Sequence, residues 1–207
     1  MGSTILVDYG MGNIGSIVNM IKKIGHSIQV SSDYRLIENA EKIILPGVGR
    51  FDKAMQNMKN LNLIDVLVER AGTGSVPIMG ICLGMHLLCN SSEEGERPGL
   101  AIIDAHVQKF KLNDKKDYKI PHMDWNTLSL KKDHEVFADN DMYARYYFAH
   151  SYHVVCNNKR DILATTNYGY DFVSSISKDN VIGVQFHPEK SHKYGMRLIK
   201  RFIEMPV

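Results

Sequence analysis

Short apolar runs alternate with stretches of helical periodicity along the first half of the chain. Ile5, Leu6 and Val7 make a run suited to a buried strand, and Gly10 and Gly12 mark the turn after it. Ile14, Ile17, Val18, Ile21 and Ile24 then recur at intervals of three and four, the signature of one helix face, and Gly25 ends the pattern. Residues 28–30 and 43–45 read as two more strands, the second stopped by Pro46-Gly47. Residues 51–58 and 61–70 read as helices, 76–81 as another buried strand, and 85–89 as the opening of a further helix. Apolar strands separated by helices imply right-handed crossovers and a parallel sheet covered on both faces.

The second half changes character. Between residues 99 and 166 the strand candidates sit closer together, with alternation over 105–110 and 146–155, so antiparallel pairing is expected there. Residues 181–186 are strand-like again, and 194–205 read as a closing helix. The expected fold is α/β, with a mainly parallel central sheet, flanking helices and added antiparallel strands toward the C-terminus. The chain shows no internal repeat, low-complexity tract or linker, so one domain over 1–207 is the economical reading.

Composition narrows the function classes. Lys+Arg 25 against Asp+Glu 23 gives a net charge of +2 without a long run of like charges, which argues against a domain built to hold nucleic acid. No apolar run is long enough to cross a membrane, and residues 1–7 are too short and uncharged for a secretory signal. The three cysteines, Cys82, Cys89 and Cys156, form no C-x-x-C pair, so metal-ribbon and redox-motif readings have no support. A low, odd count fits a reducing compartment, and the expected location is the cytoplasm.

Gly10-Met11-Gly12-Asn13-Ile14-Gly15 satisfies G-x-G-x-x-G between a strand and a helix, and Asp33 stands where a ribose-binding acid would. The pattern is weak alone, because glycines serve any tight strand-to-helix turn, and Asp8 and Tyr9 lengthen this one.

A stronger signal is Gly80-Ile81-Cys82-Leu83-Gly84, which is G-x-C-x-G directly after a strand and before a helix. This is the cysteine form of the nucleophile elbow, where flanking glycines make room for a sharp turn that projects the nucleophile beyond the sheet. The sulfur then lies at the positive end of a helix, which favours thiolate. A nucleophilic thiol needs a base. In Gly183-Val184-Gln185-Phe186-His187-Pro188-Glu189 a strand delivers His187, Pro188 stops the strand, and Glu189 can orient the imidazole. Acyl transfer also needs oxyanion donors. Leu83 N–H opens the elbow helix, and Pro46-Gly47-Val48-Gly49 is a second source, although as a plain strand-ending turn it reads equally well.

Together these segments resemble class I glutamine amidotransferases, and within them the glutaminase subunits of imidazole glycerol phosphate synthases. The resemblance is carried by Asp8 to Asn13, Leu45 to Gly49, Gly80 to Met85, Pro121 to Asn126, His150-Ser151-Tyr152 and Gln185 to Ser191, in the family's order. It implies a flavodoxin-like fold and a reaction in which Cys82 attacks the side-chain amide of L-glutamine, His187 moves the proton and Glu189 orients it. It implies oxyanion donors at Gly49 and Leu83, and substrate contacts from Gly47, His86, Glu94, His150, Ser151 and Tyr152. No cofactor or metal is implied. The partner implied is a cyclase subunit of (β/α)8-barrel form that receives the ammonia in a heterodimer, docked on Pro121, His122, Met123, Asp124, Trp125 and Asn126. The glycine-rich start belongs to the same family pattern and no longer calls for a nucleotide.

Two positions depart from the family. His86 stands where the pattern has a substrate-binding glutamine, and an imidazole cannot reproduce both amide functions. Asp124 stands where the family usually has glycine. Residues 152–156, 164–171 and 190–196 also resemble a paralogous branch that supplies ammonia for acetamidino-sugar synthesis in surface polysaccharides. The chemistry at Cys82 would be the same and the acceptor different.

Overall fold

The computed structural model describes residues 3–112, 118–138 and 143–206. Strands β1 (Thr4–Val7), β3 (Lys42–Leu45), β4 (Ile78–Ile81) and a later strand, β13 (Val181–Val184), are buried along their whole lengths. They run parallel to one another, with β2 (Gln29–Ser31) on the outer edge of β1. Alternate residues feed opposite faces, as the pleat requires. Ile5, Val7, Ile43 and Leu45 join one core with helices α2 (Tyr34–Glu38), α3 (Phe51–Asn60), α4 (Ile64–Gly72) and α5 (Leu83–Leu87). Leu6, Ile44, Met79 and Ile182 join the other with α1 (Ile14–Lys23) and α6 (His192–Glu204). Helices thus cover both faces, the arrangement expected of a parallel sheet.

The spatial order is β2-β1-β3-β4-β13, and from β13 the sheet continues through antiparallel strands β12 (Asp171–Lys178), β10 (Tyr152–Cys156) and β6 (Ala105–Lys109). The short β5 (Ser91–Ser92) closes that edge in parallel with β6. Strand β11 (Ile162–Asn167) pairs with β12 and with β8 (Ser129–Leu130). A separate two-stranded ribbon joins β7 (His122–Asn126) to β9 (Tyr146–His150). Among the described residues no helix is long and apolar enough to cross a membrane.

The parallel half follows the hydrophobic pattern closely. Gly25, at φ +85°, ends α1 by donating to Lys22 O while His26 N–H reaches Ile21 O, the two bonds of a Schellman cap. Several differences have local causes. The helix expected at 61–70 starts at Ile64, because Asn62 adopts φ 56°. The helix expected from 85 starts at Leu83, directly on the elbow. The alternation over 146–155 is two strands in two different sheets, parted at Ser151. Strand β12 escaped the pattern because its interior, Phe172–Ser177, is buried on both sides and includes Ser174 and Ser175, so polarity does not alternate. Ser175 is tolerated there because its hydroxyl donates to Gly183 O at 2.8 Å. Residues 113–117 and 139–142, inside the expected antiparallel region, lie outside the described residues.

Candidate active site

In an open α/β sheet, ligands collect beyond the carboxyl ends of the strands where the strand order reverses. Here the order reverses between β1 and β3. Each adjacent parallel strand ends in one of the segments singled out in the sequence. Strand β1 leads to Tyr9–Gly12, β3 to Pro46–Gly49, β4 to Cys82, and β13 to Gln185–His187.

Cys82 adopts φ 52° and ψ −108°, a region that L-residues avoid unless the surroundings enforce it. The surroundings do so. Cys82 N–H donates to Val184 O at 2.8 Å, anchoring the turn to β13. A Cβ at Gly80 would come within 2.7 Å of Gly84 O, and one at Gly84 would strike the Leu45 carbonyl. The two flanking glycines are therefore required by close backbone approach. Cys82 is 7% exposed.

His187 is placed by its N–H, which donates to Tyr147 O at 2.8 Å, and by Ser191, whose hydroxyl donates back to His187 O at 2.6 Å. Its Nδ1 lies 2.9 Å from Glu189 Oε1, with both side chains almost wholly buried. Burial opposes charge on the ring, but the nearby sulfur of Cys82 and the Glu189 carboxylate outweigh that and push its pKa up to about 10. The imidazole is thus held between a sulfur and a carboxylate. Such an array can move a proton between a thiol and a leaving group.

Cys82, Leu83, His86, Glu94, His150, Ser151, Tyr152 and His187 line one cavity of about 210 Å³, together with Val48, Gly49, Pro121 and Met123. Gly47 lies behind the cavity, where a Cβ would come within 2.6 Å of Gly84 N and 2.7 Å of Leu83 Cβ. Gly49 has φ +124°, open to glycine alone. A larger hollow of about 450 Å³, lined by Met55, Lys59, Ile64, Asp65 and Arg97 among others, contains neither cysteine nor histidine. Size alone does not identify the site.

The remaining expected residues have definite partners. Glu94 Oε2 accepts from Phe51 N–H at 3.1 Å, capping α3, whose own Arg50 makes no side-chain cap. Burial raises the Glu94 pKa, and the Phe51 N–H and nearby Arg50 oppose that. His150 donates from Nδ1 to Tyr152 O at 2.7 Å, so its Nε2 is left to accept from His122 Nδ1 at 3.2 Å. Burial drives the His150 pKa well below its ordinary value. His86 is buried, and its Nε2 lies 2.8 Å from Gln185 Oε1.

Strand β7 carries the expected docking segment. Met123 is 60% exposed, and Pro121 and Asp124 are also exposed. Trp125 stacks on His192 with ring centroids 5.3 Å apart, and Asn126 donates to Asn167 O. His122 differs from the others of the segment. Its ring turns inward, stacked on Phe148 and Tyr168, and offers nothing to the surface.

The dinucleotide features have other uses. Gly10 N–H donates to Asp8 Oδ1 at 3.0 Å, and Asp33 Oδ1 accepts from Arg35 N–H at 2.9 Å, capping α2. A Cβ at Gly15 would meet nothing within 4 Å, so the third glycine has no packing task. Two side chains were not singled out from the sequence. Tyr9, fully buried, donates its hydroxyl to Pro46 O and so braces the Pro46–Gly49 loop. Gln185 places its amide nitrogen 3.8 Å from Cys82 Sγ. A Tyr or Gln beside a motif looks like any other, and only the tertiary contact marks it.

Comparison with known proteins gives the family and the fold. The chain is 52% identical to "Imidazole glycerol phosphate synthase subunit HisH 2" of Methanococcus maripaludis, over 96% of this chain and 98% of that one. It is 46% identical to the protein of the same name in Pseudomonas aeruginosa, over 97% and 98%. Among solved structures, one described as a glutamine amidotransferase superposes with a TM-score of 0.74 at 18% identity, covering 97% of each chain. Another so described, from Thermotoga maritima, superposes with a TM-score of 0.64 at 15% identity, over 99% of this chain and 84% of that one. At such identity these two speak for the fold. The family model "Glutamine amidotransferase class-I" matches residues 5–205, and the chain belongs to the class I glutamine amidotransferase family.

Proposed function

We propose that this chain is a glutaminase subunit that hydrolyses L-glutamine at Cys82 and passes the ammonia to a partner cyclase of (β/α)8 form. The observation that carries the reading is the strained Cys82 elbow sharing one cavity with His187, whose ring is backed by the buried Glu189 carboxylate. Cys82 sulfur attacks the side-chain carbonyl carbon of glutamine, forming a C–S bond. The carbonyl electrons move onto oxygen, and N–H groups of Leu83 and the Gly47–Gly49 loop donate hydrogen bonds to the resulting oxyanion. As the electrons return, the C–N bond breaks and His187 gives its proton to the departing nitrogen, releasing ammonia. Water, deprotonated by His187, then cleaves the thioester to glutamate and restores the sulfur. Glu189 holds the His187 ring and offsets its charge. His86, Glu94, His150, Ser151 and Tyr152 shape the pocket for the amino-acid end.

The cyclase docks on the exposed face of Pro121, Met123, Asp124, Trp125 and Asn126. Its apolar surroundings support this, since Val48, which lines the cavity, is 48% exposed and Ile120, next to Pro121 in the chain, is 40% exposed. The setting is the cytoplasm, and histidine biosynthesis is the pathway that the relatives' printed names support. A second reading keeps the chemistry and changes the acceptor to an acetamidino-sugar precursor. The likeness of residues 152–156, 164–171 and 190–196 to the paralogous branch motivates it. The test is glutamate release by the purified chain, alone and with each candidate cyclase, joined to trapping of a glutamyl adduct on Cys82. No adduct and no glutamate with any partner would overturn the reading. Growth of a histidine auxotroph on complementation separates the two pathways.

A further inference from the structure

Gln185 has no solvent exposure, and the reaction as written gives it no task. Its backbone N–H donates to Ser174 O at 3.0 Å, which fixes the chain just after β13. The side chain is thereby inserted between Cys82 and His86. Its oxygen lies 2.8 Å from His86 Nε2, and its nitrogen lies 3.8 Å from Cys82 Sγ. His86 is itself locked to the elbow, because its N–H donates to Cys82 O at 3.2 Å.

The three groups can be arranged in two ways. A carboxamide has a donor end and an acceptor end, and a neutral imidazole likewise has one of each. If His86 carries its proton on Nε2, it donates to the Gln185 oxygen and the amide N–H faces the sulfur. If the proton sits on Nδ1, the amide must turn over, and its carbonyl oxygen then faces the sulfur. A thiolate accepts from an N–H and is repelled by a carbonyl oxygen. Burial keeps His86 neutral, pushing its pKa down to about 4, so the choice of tautomer has to be made.

Given Cys82 as the nucleophile, we propose that Gln185 is a further catalytic residue whose amide N–H steadies the Cys82 thiolate, and that His86 is the positioning residue that fixes which way the amide points. The same N–H serves twice. It favours the sulfur anion before attack, and it receives the anion again when the thioester C–S bond breaks. This also accounts for the histidine at position 86. What Gln185 needs from that position is an N–H donor, and both imidazole and carboxamide supply one.

The test is the pH dependence of Cys82 alkylation by iodoacetamide in the full-length chain, with the modified residue assigned by mass spectrometry. The variants are Gln185→Leu, His86→Leu and His86→Gln, each checked by circular dichroism and thermal unfolding. In both leucine variants alkylation at pH 7 is expected to slow by about tenfold or more and to recover at higher pH, as loss of a hydrogen bond to a charged group requires. His86→Gln is expected to stay within about twofold of wild type, because its amide N–H replaces the ring N–H. A folded Gln185→Leu or His86→Leu with the wild-type profile overturns the proposal. If Gln185→Leu does not fold, the two His86 variants decide it between them. A residue that merely fills space would change stability without moving the alkylation profile. Absence of a glutamyl adduct on wild-type Cys82 is a different failure, because it removes the nucleophile assignment and this inference with it.

Discussion

Replacing Glu189 by glutamine keeps the shape of the partner of His187 and removes its charge. The wild-type carboxylate is almost fully buried, 2.9 Å from His187 Nδ1, and its second oxygen, Oε2, has no hydrogen-bond partner among the described residues. A glutamine oxygen can accept the same Nδ1–H, so the ring stays in place. What disappears is the attraction between a carboxylate and an imidazolium. At an effective dielectric of about 20 that attraction is worth up to about 4 kcal/mol at ~4 Å. Relaxation and the retained hydrogen bond reduce it, and about 2–3 kcal/mol, or roughly 30- to 150-fold in kcat, is the expected loss. The sign of the pH effect follows from the raised pKa of His187. A base raised from 6.5 to about 10 contributes stability that is whole below pH 6.5 and is lost as pH rises toward 10. Removing the carboxylate lowers the upper end of that window. The alkaline limb of glutamine hydrolysis should therefore move to lower pH, and the stability gap between wild type and variant should narrow as pH rises from 6.5 toward 10. Steady-state rates with the partner present, and denaturant melts of the chain alone, measure both. A variant whose pH–rate profile superimposes on wild type would refute the role given to Glu189.

Three further outcomes are expected. Cys82→Ser should abolish glutamate release while the fold persists, whereas Cys89→Ser should remain active, since Cys89 is fully buried, has its pKa raised by that burial, and points its sulfur at Met85 O; turnover assays and melts of both variants check this. Gly47→Ala should cost about 1–3 kcal/mol in denaturant unfolding, as overpacking does, and should cut turnover as well, because the new Cβ would press on Gly84 N and Leu83 at 2.6 and 2.7 Å. The fold should weaken in acid. His86 and His122 are both lowered by burial to about 4, so the unfolded chain binds more protons between pH 4 and 6.5 and stability should climb across that window; denaturant midpoints that stay flat from pH 4.5 to 6.5 would contradict this.

The parallel half was legible because its strands are short, apolar and punctuated by glycine and proline, and its helices carry one clear apolar face. The antiparallel half was less so. Ser151 interrupts what reads as one alternating segment, and its carbonyl accepts from Phe110 N–H, so the two strands on either side part into different sheets. Strand β12 hides behind buried serines, and a period-two pattern cannot reveal a strand that is buried on both faces.

The site was legible to a different degree, and for a physical reason. Elbow glycines and the His-Pro-Glu corner are local devices, so the pattern that builds them lies within five or seven neighbouring residues. The groups that tune the site are not local. Glu94 reads as a pocket carboxylate, yet one of its oxygens is committed to the start of α3. His122 reads as part of an exposed segment, yet strand pairing opposite His150 turns it inward, where its Nδ1 orients a second histidine. His86 reads as a change in substrate binding, yet its Nε2 is bonded to Gln185, 99 positions away. Hydrogen-bond direction passes from ring to amide to sulfur, and no step of it can be read from spacing. Substituting His86 therefore acts first on Gln185 and through it on Cys82, so the consequence should register in the reactivity of the sulfur before it registers in the binding of glutamine.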